Sequence, residues 1–115
     1  MNIIRHEPGP ILSSAVEYGN LVFVAGTVAN DTSLDAEGQT RDVLAQIDAL
    51  LAKAGTSKSR ILMANIYVTD IRNREAVNKA WGPWVDAANT PARATIEAKL
   101  ADPAMLVEIS CIAAK

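Results

Sequence analysis

One cysteine and one histidine are all that 115 residues offer to thiol and imidazole chemistry. An internal disulfide is impossible, and a zinc cluster would have to be built mostly from carboxylates, so no structural metal is expected. Excess positive charge is missing too. The 11 Lys and Arg against 13 Asp and Glu leave a formal net charge of −2, without the basic stripe that a phosphate backbone requires. Nucleic acid is therefore disfavoured as a partner. No apolar run approaches the roughly 18 residues of a membrane span, and Met1-Asn2-Ile3-Ile4-Arg5-His6 lacks a signal-peptide pattern. The expectation is a cytoplasmic protein with no membrane partner. Repeats, linkers and low-complexity segments are absent, so residues 1–115 read as a single domain.

Half of the chain is hydrophobic, enough for a domain of this length to bury about two-thirds of its unfolded surface. Residues 2–7 can form a short strand stopped by Pro8-Gly9-Pro10. Lone His6 lies in it and reads as an exposed or edge residue with no partner in view. Residues 12–18 alternate loosely, Gly19-Asn20 supplies a tight turn, and Leu21-Val22-Phe23-Val24-Ala25 completes a hairpin. Gly26 is expected to end that strand, at a bend or where something must approach the backbone closely. From Gln39 to Ala54, Val43, Leu44, Ile47, Leu50, Leu51 and Ala54 recur at helical spacing, and Gly55 supplies the stop. Residues 60–69 read as a central strand with two apolar faces, Leu62, Ala64, Ile66 and Val68 on one and Ile61, Met63, Asn65 and Tyr67 on the other. Asp70 or Asn73 can cap a second helix carrying Val77, Trp81 and Trp84, and Pro83 kinks it or ends it early. The Trp pair reads as packing rather than a substrate platform.

Two strand-like runs follow, 90–97 and 106–113, separated by the turn Lys99-Leu100-Ala101-Asp102-Pro103-Ala104. Alternation puts Arg93, Thr95 and Glu97 on one face of the first run, and Leu106, Glu108, Ser110 and Ile112 on one face of the second. Cys111 falls on the apolar face and reads as a small buried hydrophobe. If the runs lie side by side, Arg93 and Glu108 can converge, a fixed cation near a carboxylate. The element order implies an α/β fold, a mixed β-sheet with two helices packed on one face. The other face then has no cover from its own chain. Ile61, Met63, Tyr67 and Leu106 would form an apolar patch there, which a closed symmetric oligomer remedies.

Pro91-Ala92-Arg93, Leu100-Ala101-Asp102-Pro103 and Val107-Glu108-Ile109 resemble the C-terminal signature of the RidA (YjgF) family. Val22-Phe23-Val24-Ala25-Gly26, Gln39-Thr40-Arg41-Asp42-Val43-Leu44, Tyr67-Val68-Thr69-Asp70 and Val77-Asn78 resemble its other landmarks. The resemblance implies a chorismate-mutase-like fold and a homotrimer with sites in the clefts between subunits. It also implies hydrolysis of 2-iminocarboxylates, or their enamine tautomers, to 2-ketoacids and ammonia without metal or cofactor. In that reading Arg93 holds the substrate carboxylate through two parallel hydrogen bonds, which Lys could not reproduce. Glu108 orients the attacking water and relays protons to the departing ammonia. The backbone near Gly26 and Thr95 completes the pocket.

The sequence departs from the family pattern in three places. Ile11 or Leu12 stands where many members have a Tyr, Thr95 where Cys is common, and Thr90 where an aromatic or proline often precedes the Pro-Ala-Arg. On residue types alone, Arg93 and Glu108 could equally be a salt bridge between subunits that only fixes register. A non-catalytic ligand-binding trimer is the alternative on the same fold. The ribonuclease activity attached to this family is opposed by the acidic balance and the missing His pair. The catalytic reading requires Arg93 and Glu108 to meet across a seam between protomers, and side chains on opposite sides of the sheet, or a particle that stays single in dilute solution, would end it.

Overall fold

The computed structural model describes residues 1–115. Strands β1 (Ile3–Pro8), β2 (Ser13–Tyr18) and β3 (Leu21–Val28) precede helix α1 (Ala36–Lys53). Strand β4 (Ile61–Val68), helix α2 (Arg74–Trp84), and strands β5 (Ala92–Glu97) and β6 (Val107–Ala114) follow. They form one six-stranded mixed sheet in the order β1-β2-β3-β6-β4-β5, with β4 and β5 parallel and every other neighbouring pair antiparallel.

Local chemistry accounts for the boundaries. Tyr18 pairs with Leu21 across Gly19-Asn20, and Gly19 takes the left-handed conformation (φ 60) that this two-residue turn needs. Asp35 accepts a hydrogen bond from the Gly38 N–H at 2.8 Å, so α1 starts at Ala36, three residues before the expected start at Gln39. Gly55, at φ 77, follows the Ala54 cap. Asp70 caps a short 3-10 turn through the Arg72 N–H, and α2 begins after Asn73, whose side chain makes no capping bond. Pro83 lies in the last turn of α2, which ends one residue later.

One core fills the space between the sheet and the two helices. Val22, Val24, Ala64, Ile66, Val68, Val107, Ile109, Cys111 and Ala113 meet Val43, Leu44, Ile47, Leu51, Val77 and Trp81 there. Burial pushes the Cys111 thiol up to about 12, so it packs as a hydrophobe. No helix is long and apolar enough to cross a membrane.

The opposite face of the sheet is uncovered. Its middle row runs Arg5, Val16, Phe23, Ile112, Met63 and Ala92 across all six strands. Phe23 is 40% exposed, and Tyr18, Leu21, Leu62 and Ile96 are exposed with it. The composition of this patch differs from the sequence expectation. The β4–β6 register shifts between Ile61 and Met63, which turns Ile61 into the core (5% exposed) and Leu62 out of it (49% exposed). Leu106 packs against the core instead of lying on the open face.

His6 also departs from expectation, because it has a partner. On the helix-bearing face, buried Glu17 receives His6 Nε2 on one carboxylate oxygen and Lys115 Nζ on the other. The hydrogen bonds from Lys115 and then His6 hold the Glu17 carboxyl below its usual 4.5. A depressed carboxyl contributes stability that is complete above the unfolded value and is lost as pH falls through the folded one. Urea titrations should therefore show a midpoint that declines below pH 4.5 more steeply in the wild type than in Glu17→Gln. Equal acid slopes would show that the cluster contributes nothing.

Candidate functional site

Arg93 sits on the edge strand β5, paired in register with Ala64. Its side chain is on the helix-bearing face and rests on α2. The guanidinium lies 5.3 Å from the centroid of the Trp81 ring, and Nη2 donates to Asn78 Oδ1 at 2.8 Å. Trp81 is held in turn by Trp84, with ring centroids 5.2 Å apart, and Trp84 Nε1 donates to Asp48 on α1 at 2.9 Å. The Trp pair is therefore packing, but packing that orients a cation. No carboxylate pairs with Arg93 in the protomer, and burial followed by the nearby Arg74 charge lowers its pKa. Arg93, Thr95, Arg74 and Ile71 line a cavity of about 310 Å³. The Thr95 hydroxyl is enclosed and has no hydrogen-bond partner.

Glu108 lies elsewhere. It enters from β6 on the uncovered face, opposite Tyr67 on one side and Val28 on the other. Gly26 does not end β3 as expected. It sits in a register shift between Val24 and Thr27, and the strand continues to Val28. The Gly26 backbone is where the Glu108 carboxylate packs, because a Cβ added there would stand 2.5 Å from Oε2 and 3.0 Å from Cδ. The close approach that glycine permits is made by a side chain of the same protein. Gly26 and Leu12 share a second cavity, about 440 Å³, with Ser14, Ala25, Thr27 and Gln46.

The candidate residues thus fall into two half-sites, Arg93 with Thr95 and Glu108 against Gly26, while the cavity that Gly26 shares with Leu12 is walled by Gln46, Ala49 and Leu50 of α1 and not by Glu108. The expectation that Arg93 and Glu108 converge along adjacent strands is overturned. β4 lies between β5 and β6, so the two backbones are roughly 10 Å apart, and the registers place the two side chains on opposite faces of the sheet. No single chain assembles this pair. No three His, Cys, Asp or Glu side chains converge as metal ligands.

Read from the sequence, three supporting residues have no role at the site: Arg74 is unmarked, Asn78 is only a family landmark and Trp81 only packing. Arg74, Asn78 and Trp81 follow i, i+4, i+7 spacing, one stripe of α2 that meets the Arg93 side of the sheet. A polar and aromatic stripe on a helix read only for its apolar residues is the signal that could have found them. Gln39 is the other case, a fully buried polar group one helical turn before Val43. Its Nε2 donates to Ala104 O (2.9 Å) and Leu34 O (3.0 Å), and its Oε1 accepts from the Leu106 N–H (2.9 Å). Gln39 therefore pins the loop that delivers β6, and with it Glu108, to the start of α1.

Comparison with known proteins gives consistent matches. The family model described as endoribonuclease L-PSP matches residues 5–115. A RutC family protein of Haemophilus influenzae is 46% identical, over 98% of each chain. The RutC family protein YoaB of Escherichia coli K12 is 41% identical over 99% of each. A Neisseria meningitidis member of the YjgF protein family superposes with a TM-score of 0.95 at 41% identity, covering 100% of this chain and 96% of that one.

Proposed function

The chain belongs to the endoribonuclease L-PSP family, to which its RutC and YjgF relatives also point, and from that premise we propose that it hydrolyses 2-iminocarboxylates to 2-ketoacids and ammonia at sites shared between protomers. The observation that carries this reading is the unneutralised Arg93 guanidinium, braced by Trp81 and Asn78 on a cavity and lacking any carboxylate of its own chain. A half-buried cation without a counter-ion is free to take an anion, and a planar guanidinium matches a carboxylate with two parallel hydrogen bonds.

Opposite faces rule the pair out within one protomer, contrary to the sequence expectation, and the reading stands only for an assembly that joins the half-sites across a seam. A ring in which the Arg93 edge of one protomer meets the Glu108 face of the next is a head-to-tail interface, closed by a homotrimer. It would also cover the apolar face exposing Phe23, Leu21 and Leu62. A substrate carboxylate on Arg93 then brings its imine carbon to a water held by Glu108. The water oxygen bonds to that carbon while Glu108 takes a proton from the water and passes it to the imine nitrogen, giving a carbinolamine. Glu108 then takes the carbinolamine hydroxyl proton and delivers it to the nitrogen as the C–N bond breaks, so ammonia leaves and the ketoacid remains. Imines hydrolyse in water unaided, so positioning of water and carboxylate supplies the acceleration.

The test generates imines in situ with an amino-acid oxidase and follows their decay by trapping with semicarbazide. Decay faster than in buffer is expected. No acceleration with several amino acids, or an undiminished rate in Arg93→Ala, counts against hydrolysis. A second reading, a carboxylate-binding trimer without turnover, is favoured by the completeness of the Arg93 cradle in the absence of Glu108. Tight 2-ketoacid binding by calorimetry with no effect on imine decay would select it.

A further inference from the structure

The cavity beside Arg93 carries a second guanidinium that a simple 2-imino acid does not need. Arg74 stands at the start of α2, on the stripe that also holds Asn78 and Trp81, and lines the same cavity as Arg93 and Thr95. Its side chain makes no ion pair or hydrogen bond within the protomer, whereas Arg72, two residues earlier, is engaged by both oxygens of Asp70. Glu97, the carboxylate on the same face of β5, is turned to the Ile71 N–H at 3.0 Å and leaves both guanidinia unneutralised. Two like charges on one cavity repel, and their proximity lowers the Arg93 pKa in addition to burial.

Two further observations point to an anionic ligand with a polar tail. The Thr95 hydroxyl, enclosed and unpartnered, is a hydrogen-bond donor left unused in the free protein. Only Ile71 is apolar among the four lining residues, a poor wall for an aliphatic or aromatic side chain.

We propose that this cavity selects dicarboxylates, 2-imino or 2-keto acids of four or five carbons, with the carboxylate next to the reacting carbon on Arg93 and the distal one on Arg74. The proposal rests on the reading of Arg93 as the substrate anchor and adds the substrate class, that of imines formed by oxidation of acidic amino acids.

Calorimetric titration of the intact protein with 2-oxoglutarate, 2-oxobutyrate and inorganic phosphate tests it. The dicarboxylate should bind about tenfold tighter than the monocarboxylate, the worth of one partly exposed charge-assisted contact. Arg74→Gln should collapse that ratio to below about twofold and Arg74→Lys should keep part of it, since Lys retains the charge without the paired donors. A ratio near one in the wild type, a ratio unmoved by Arg74→Gln, or phosphate binding as tightly as the dicarboxylate would overturn it. Imine decay is scored separately. A preserved ratio without turnover supports dicarboxylate selection and defeats the hydrolase reading, and turnover with a ratio near one does the reverse.

Discussion

Refolding Arg93→Ala and Glu108→Ala chains together in equal amounts should recover about one quarter of wild-type imine hydrolysis, although each variant alone is nearly inactive. The fraction follows from the proposed head-to-tail ring, where a site needs Arg93 from one protomer and Glu108 from the next, each intact with probability of about one half in a statistical mixture. Loss in the single variants is expected to be large. Two charge-assisted hydrogen bonds of roughly 1.5–3 kcal/mol each make Arg93→Ala slower by at least about a hundredfold. Removal of a general base costs about a hundredfold to ten-thousandfold. Had one chain supplied both groups, every mixed site would lack one of them and no activity would return. A mixed oligomer of wild-type size that stays inactive defeats the shared-site arrangement.

Gly26→Ala should separate catalysis from folding. Gly26 is not in the left-handed region, so alanine is conformationally acceptable on β3. Its Cβ would stand 2.5 Å from Glu108 Oε2, 3.0 Å from Cδ and 3.4 Å from Cγ, and the carboxylate must swing away. The obstructed atoms are the far end of a flexible side chain, so stability should change by less than about 1 kcal/mol. A displacement of about 1 Å at a catalytic group costs about a hundredfold in rate. Thermal melts and imine decay measured on one preparation decide the matter. Unchanged turnover would show that contact with Gly26 does not set the position of Glu108.

Much of this architecture was legible in the residues. The Gly19-Asn20 turn, the apolar stripe of α1 ending at Gly55, and the faces of β5 and β6 all follow from local rules, and the structure agrees with them. What local rules could not supply was strand order. Alternation assigns Arg93 and Glu108 to faces of their own strands, but which face turns to the helices depends on where each strand is inserted. β4 arrives between them by long-range pairing that no nearby residue records. The register shifts at Ile61 and Gly26 escaped for a related reason, since an inserted residue inverts the alternation without changing composition. The α2 stripe was readable, but only to an eye looking for polar spacing as well as apolar.

The last strand of the sequence occupies the middle of the sheet, between β3 and β4. Until residues 107–114 leave the ribosome, a nascent chain holds at most two sheet fragments, β1-β2-β3 and β4-β5, each with a bare inner edge and an apolar flank. Such edges are templates for mispairing, and joining them waits on contacts that span most of the chain. Truncation at this end would therefore split the fold into halves instead of fraying its rim.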